Sequence, residues 1–152
     1  MAQLFPTTVI GSMPRPPFVI DLFRSGSRIG ENDAAWQRRM DDAVRYCVHL
    51  QEQAGIDIVS DGEWRRETYV DVIAELCNGF EWIERELFGY HQVVTEQLTP
   101  RQPGVIAGEA KFLTENTDRQ VKVALPSPYL IGQRMWEPGH SESAYPTREA
   151  FC

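Results

Sequence analysis

Apolar and polar positions alternate between two periods along this chain. Thr7-Thr8-Val9-Ile10 is a short β-branched run ended by Gly11-Ser12, the pattern of a buried strand passing into a tight turn. Pro14, Pro16 and Pro17 hold the following residues extended, and Phe18 to Phe23 reads as one or two helical turns, with Gly26 as a stop. Between Asn32 and Ala54 the period changes to that of a helix. Trp36, Met40, Ala43, Val44, Cys47, Val48 and Leu50 recur mostly three or four apart, while Arg38, Arg39, Asp41, Asp42 and Arg45 fall largely opposite. Asn32 or Asp33 is the expected cap and Gly55 the stop.

Ile56 to Val59 predicts a second buried strand, ending in Ser60-Asp61-Gly62-Glu63. Strand, long helix, strand is the order of a parallel crossover. Thr68 to Cys77 predicts a helix closed by Asn78-Gly79, and Phe80 to Val94 an extended excursion or hairpin. Val105-Ile106-Ala107 and Val121 to Leu125 read as two further short strands. Ser127-Pro128 opens a helix through Trp136, with proline at the first helical position, where its missing N–H costs little. Tyr145 to Cys152 resembles the first turn of another helix, so the pattern is that of a chain ending inside an element.

Composition narrows the classes. The 152 residues suffice for one domain. A net charge of −7 disfavours phosphate-backbone contact, and with it nucleic-acid binding, as well as attachment to an anionic membrane surface. No apolar run approaches the roughly 20 residues of a membrane span. The first six residues lack the basic and apolar regions of a secretory signal. Three cysteines, Cys47, Cys77 and Cys152, without a CxxC spacing suit free thiols in a reducing compartment, so a cytoplasmic protein is expected.

The candidate chemistry lies where strands end. Gly11-Ser12 offers backbone N–H groups and a hydroxyl, suited to a carboxylate or carbonyl, although a capped turn has the same composition. Asp61-Gly62-Glu63 sets two carboxylates beside a flexible backbone, able to bind an ammonium, to act as acid or base, or to cap a helix. Pro126-Ser127-Pro128 is the third such site. In a parallel α/β fold all three lie at carboxyl ends of strands, where ligands bind. Metal ligation is not expected within the chain. Cys47 and His49 are two apart on a helix and diverge, and no HxC, CxxC or HExxH spacing occurs. Cys47 and Cys77 read as core residues and the histidines as surface or loop residues.

Four ordered segments together resemble the catalytic domain of cobalamin-independent methionine synthases and their shorter relatives. They are Leu4 to Arg15, Gly55 to Arg66, Val105 to Ala110 and Val121 to Pro128, the first two being the most specific. The resemblance implies a partial (β/α)8 TIM barrel comprising the first several βα units, with residues 1–152 as the amino-terminal part of a catalytic domain. Complete barrels take about 250 residues.

The resemblance further implies a methyltransferase that methylates the zinc-bound thiol of homocysteine to give methionine. Its zinc ligands, a His-x-Cys pair, a glutamate and another cysteine, come from later strands, so this chain alone would be inactive. By the same resemblance Ile10, Gly11 and Ser12 match the turn holding the amino-acid part of homocysteine, and Glu63 a glutamate facing its ammonium. Asp61 stands where longer synthases often carry histidine. Two departures touch the methyl donor. Thr99-Pro100-Arg101-Gln102 replaces the Arg-Cys of the folate segment, and a family tryptophan falls at Arg134, two residues from Trp136. The donor is thus open between a methylated folate and another methyl carrier. The rival readings are another zinc-thiol transferase or lyase acting on a small thiol of the coenzyme M type, and a truncated chain without catalysis.

Overall fold

The computed structural model describes residues 5–24, 34–70, 72–85 and 89–152. The expected helix caps Asn32 and Asp33 and the stop at Gly26 lie outside these residues. The chain forms an α/β structure of two compact units, Met1–Glu67 with Gly104–Ala124, and Thr68–Pro103 with Leu125–Cys152.

The first unit is built on parallel pairing. Thr8 bridges Ile58, and β1 (Ile58–Val59) pairs in parallel with β4 (Gln120–Val121), Ile58 opposite Gln120 and Val59 opposite Val121. The Lys122 N–H donating to Val59 O at 2.9 Å carries the ladder one residue further. The parallel pairing is that of segments joined by crossovers, but Thr7 to Ile10, expected as a buried strand, makes a single bridge at Thr8 and leaves Thr7, Thr8 and Ile10 exposed. α1 (Pro17–Arg24) begins at a proline, and α2 (Ala34–Gln53) crosses between Thr8 and β1 in sequence. One stripe of α2, comprising Trp36, Met40, Ala43, Val44, Cys47, Val48 and Gln51, is buried. With Val19, Leu22, Val59, Trp64 and Leu113 this stripe forms the core of the unit. Each large aliphatic side chain so enclosed contributes about 1.5–3 kcal/mol.

Gln51 couples this helix to the strand end. Its amide nitrogen donates to Ser60 O at 2.7 Å and its oxygen accepts the Ser60 N–H at 3.0 Å, which satisfies a buried backbone pair at the last residue before the Asp61 turn. At the opposite end of the strand, Asp57 accepts both the N–H and the hydroxyl of Thr7, each at 2.7 Å. The backbone bond first, and then the hydroxyl, hold the Asp57 carboxyl below the usual aspartate range. A lowered folded value means that this clamp is complete above the unfolded aspartate value of about 3.9 and is lost as pH falls through the lower, folded one. The Thr7 amide resonance should therefore move in acid at a pH below that of a free aspartate. An Asp57→Asn variant should lose this transition, and a Thr7 amide that titrates unchanged in the variant would contradict the assignment.

One segment departs from its pattern. Val105-Ile106-Ala107, expected as a strand, is the first turn of α4 (Val105–Glu115). Gly104, with φ of 89°, turns the chain into the helix, and Glu109 and Leu113, four residues apart, supply its buried stripe. A short β-branched run reads the same in a strand and in a helix start; the later i, i+4 spacing decides.

The second unit contains α3 (Val72–Leu76), an antiparallel hairpin of β2 (Cys77–Arg85) and β3 (Gly89–Pro100), α5 (Pro128–Met135) and α6 (Arg148–Phe151). The helix expected over Thr68 to Cys77 is confined to α3, and Asn78-Gly79 does not close it but lies within β2. The register shifts between Asn78 and Phe80, and a Cβ on Gly79 would come within 2.9 Å of Glu96 O, so the glycine permits a close strand approach at a bulge. Ser127 caps α5 by accepting the Leu130 N–H at 3.2 Å, and Thr147 caps α6. No described helix is long and apolar enough to cross a membrane.

Candidate functional site

The turns after Ile10 and after Ser60, far apart in sequence, meet in the first unit. Met13 N–H donates to Gly62 O at 3.1 Å, and the Trp64 indole N–H donates to Met13 O at 3.2 Å, so the two loops are laced through their backbones. Both turns need left-handed glycines, Gly11 at φ 76° and Gly62 at φ 66°. At Gly62 the space is closed as well: a Cβ there would lie 2.5 Å from Cys47 Sγ and 3.3 Å from Met13 Cβ.

This lacing brings Ser12 and Glu63 together, and the Ser12 hydroxyl donates to Glu63 Oε2 at 2.5 Å. Glu63 is 6% exposed and is the only positive-φ non-glycine among the described residues, at φ 58°. That conformation is uncommon for a residue with a full side chain and persists where its surroundings over-determine it. Three contacts do so. Asp61 Oδ1 accepts the Glu63 N–H at 2.9 Å, the Arg15 guanidinium donates to Glu63 O at 3.0 Å, and Ser12 holds the carboxylate. Arg15 also donates to the carbonyls of Arg66 and Glu67, so one cation gathers the whole turn.

Of the expected site residues, Ser12, Asp61 and Glu63 are therefore joined, and Gly11 supplies the turn that allows it. The Ile10 side chain is 92% exposed and contributes no wall to this group. Ser127 belongs to the second unit and acts as the cap of α5.

Beneath the turn lies a charged layer that the strand-end reading missed. Arg66, 1% exposed, meets Glu109 Oε2 at 2.6 Å and Asp61 Oδ2 at 3.6 Å. Burial pushes the Glu109 carboxyl up, and the Arg66 guanidinium pulls it back. Arg65 pairs with Asp41 at 2.7 Å and stacks 4.8 Å from the Phe112 ring centre. Lys122 donates to Val9 O, fastening the segment that leads into the Gly11-Ser12 turn. The signal for Arg66 was its place directly behind the Asp61-Gly62-Glu63 turn; Glu109 stood in the Val105 to Ala110 segment of the family resemblance, but with that run expected to begin as a strand nothing pointed to its pairing with Arg66.

Metal donors are poorly provided. Among the described residues no group of three or more His, Cys, Asp and Glu could hold a metal ion. Cys47 is buried, and its thiol is pushed up to about 12, first by desolvation and then by Asp61. A zinc-ligating cysteine is a thiolate, so this environment opposes ligation. Cys77 is half-buried and its thiol is also raised by burial, while the exposed Cys152 donates to Pro128 O. His49 and His140 are exposed, and His91, in β3, pairs with Glu137 at 3.0 Å.

Parallel pairing, with a hydroxyl, a buried carboxylate and glycine turns gathered at adjacent chain segments, defines an α/β protein with a candidate site at that edge. The chain belongs to the cobalamin-independent synthase catalytic-domain family, whose model matches residues 5–135. A methionine synthase of Sulfolobus acidocaldarius is 33% identical over 139 residues, 86% of this chain and 40% of that protein. A 5-methyltetrahydropteroyltriglutamate–homocysteine methyltransferase of Thermosynechococcus vestitus is 30% identical over 83% of this chain and 17% of its own length. Among solved structures, a B12-independent methionine synthase from a Shewanella species, in complex with selenomethionine, superimposes with a TM-score of 0.71 at 27% identity, covering 98% of this chain and 44% of that one. The chain thus spans less than half the length of these relatives.

Proposed function

We propose that residues 1–152 are the amino-terminal part of a (β/α)8 catalytic domain, and that they carry the amino-acid subsite of a homocysteine methyltransferase. The observation that bears most of the weight is the Ser12–Glu63 pair. The Gly11-Ser12 turn offers backbone N–H groups to a substrate carboxylate, while the Ser12 hydroxyl, by donating to Glu63, holds a buried anion in place for the substrate ammonium. The Shewanella relative's selenomethionine supports a methionine-like ligand. A small thiol without an α-amino group, of the coenzyme M type, would leave Glu63 facing nothing of opposite charge.

In the complete enzyme, zinc would supply the thiolate of homocysteine at neutral pH. The described residues do not fit that ion, so its ligands come from outside them. This chain's share is to bind and orient the amino acid. The methyl donor is a methylated folate or another methyl carrier, and the setting is cytoplasmic, with a small-molecule thiol as the partner rather than nucleic acid or membrane.

Titration of the chain with L-homocysteine, L-methionine and 2-mercaptoethanesulfonate tests the subsite. The two amino acids should bind saturably and the sulfonate should not; equal behaviour of all three would reject the reading. The zinc assignment has its own test. Chelator-washed protein should retain no stoichiometric zinc, and one tightly held ion per chain would contradict it.

A further inference from the structure

We propose that Glu109 is a positioning residue for Glu63, acting through Arg66 and Asp61; this rests on the reading of Glu63 as the ligand-facing carboxylate.

The chain of contacts is continuous and lies within one unit. Glu109 Oε2 holds Arg66 Nη2 at 2.6 Å. Arg66 Nη1 stands 3.6 Å from Asp61 Oδ2, near enough for attraction and too far for a hydrogen bond. Asp61 Oδ1 accepts the Glu63 N–H at 2.9 Å. Glu63 Oε2 accepts the Ser12 hydroxyl. Arg66 and Asp61 are each 1% exposed, and Glu109 is 8% exposed, so water does little to screen the layer. Two buried carboxylates thus compete for one guanidinium, and Glu109 has the shorter contact.

That competition has a consequence for the turn. Asp61 Oδ2, Arg66 Nη1 and Arg66 Nε all lack hydrogen-bond partners, although all are buried. An unrestrained arginine would swing to Asp61 and form a two-pronged pair, the favoured geometry between these groups. Doing so would turn the Asp61 carboxylate and draw Oδ1 from the Glu63 N–H. Without that bond the left-handed conformation of Glu63 loses one of its three restraints. Glu109, by keeping Arg66 on its own side, leaves Asp61 free to hold Glu63 beside Ser12. The same geometry accounts for a carboxylate of α4 buried beneath the Asp61-Gly62-Glu63 turn, where an apolar side chain would otherwise be expected.

The test reads the Glu63 backbone directly. In the intact 152-residue chain, Glu63 should show the strong intraresidue HN–Hα NOE of a positive φ and a protected amide. In Glu109→Ala the Glu63 amide should exchange about tenfold faster, the loss of one buried charge-assisted restraint, while Met40, Val44 and Val48 of α2 keep their rates. Should Glu109→Ala loosen the whole unit, Glu109→Gln decides, since it keeps the shape and an acceptor oxygen but not the charge; a rise of about threefold confined to the turn is expected. Unchanged Glu63 protection in both variants overturns the proposal, as does a rise shared equally by α2 in both. The ligand reading fails separately. A loosened Glu63 in Glu109→Gln, with L-homocysteine affinity unaltered, supports the positioning network and removes the amino-acid subsite.

Discussion

Arg66→Ala should destabilise the chain by about 3–5 kcal/mol, the cost of removing one partner from a buried ion pair. The reason lies in what remains. Arg66 is enclosed by Asp61 and Glu109, and its loss leaves two carboxylates in a space almost without water. Their repulsion adds to the desolvation that already raises the Glu109 pKa. The pH dependence has a definite sign. A carboxyl whose folded pKa is raised binds its proton more tightly when folded, so stability falls as pH rises from the unfolded value of about 4.3 through the folded value. In Arg66→Ala this window should widen, and acid should recover part of the lost stability. Urea unfolding at pH 5 and pH 8 separates the outcomes: a loss below about 1 kcal/mol, or a loss independent of pH, would show that the charged layer is solvated and unimportant.

Glu63→Gln should weaken binding of amino-acid thiols by roughly 30-fold or more while leaving the fold intact. The substitution keeps the size of the side chain, and the amide oxygen can still accept from Ser12 Oγ. Only the charge is lost. Removing one partner of a desolvated charge pair costs about 2–5 kcal/mol, roughly 30-fold or more in affinity. If Glu63 served merely as a local cap, the change would cost about 1 kcal/mol of stability and leave affinity unaltered. Parallel titration of wild type and variant with L-homocysteine, beside thermal unfolding, distinguishes the two.

Much of this arrangement was legible in the residues because it depends on local chemistry. The stripe from Trp36 to Val48 required burial on one face, and the β-branched runs at Thr7 to Ile10 and Ile56 to Val59 marked the segments that pair in parallel and end in glycine turns, although the first makes only a single bridge at Thr8. Once these are parallel neighbours, Ser12 and Glu63 must arrive close together. The charged layer was not legible, since Glu109 reaches Arg66 only through the packing of α4, and Val105-Ile106-Ala107 carries no local mark of helix. Asn78-Gly79 misled for a related reason: a glycine that ends a helix and a glycine that lets two strands approach look alike until the partner, Glu96, is known. Ile10 illustrates the opposite case, an apolar residue at the end of a β-branched run whose side chain nevertheless faces solvent.

The central claim is that the turns bearing Ser12 and Glu63 hold an amino acid, and a chemical-shift titration of the labelled chain with L-methionine tests it most directly. The amides of Gly11, Ser12, Gly62 and Glu63 should shift together along one saturable curve, with the α2 amides unmoved. Saturable shifts that spare all four, or no shift at millimolar methionine, would contradict the account.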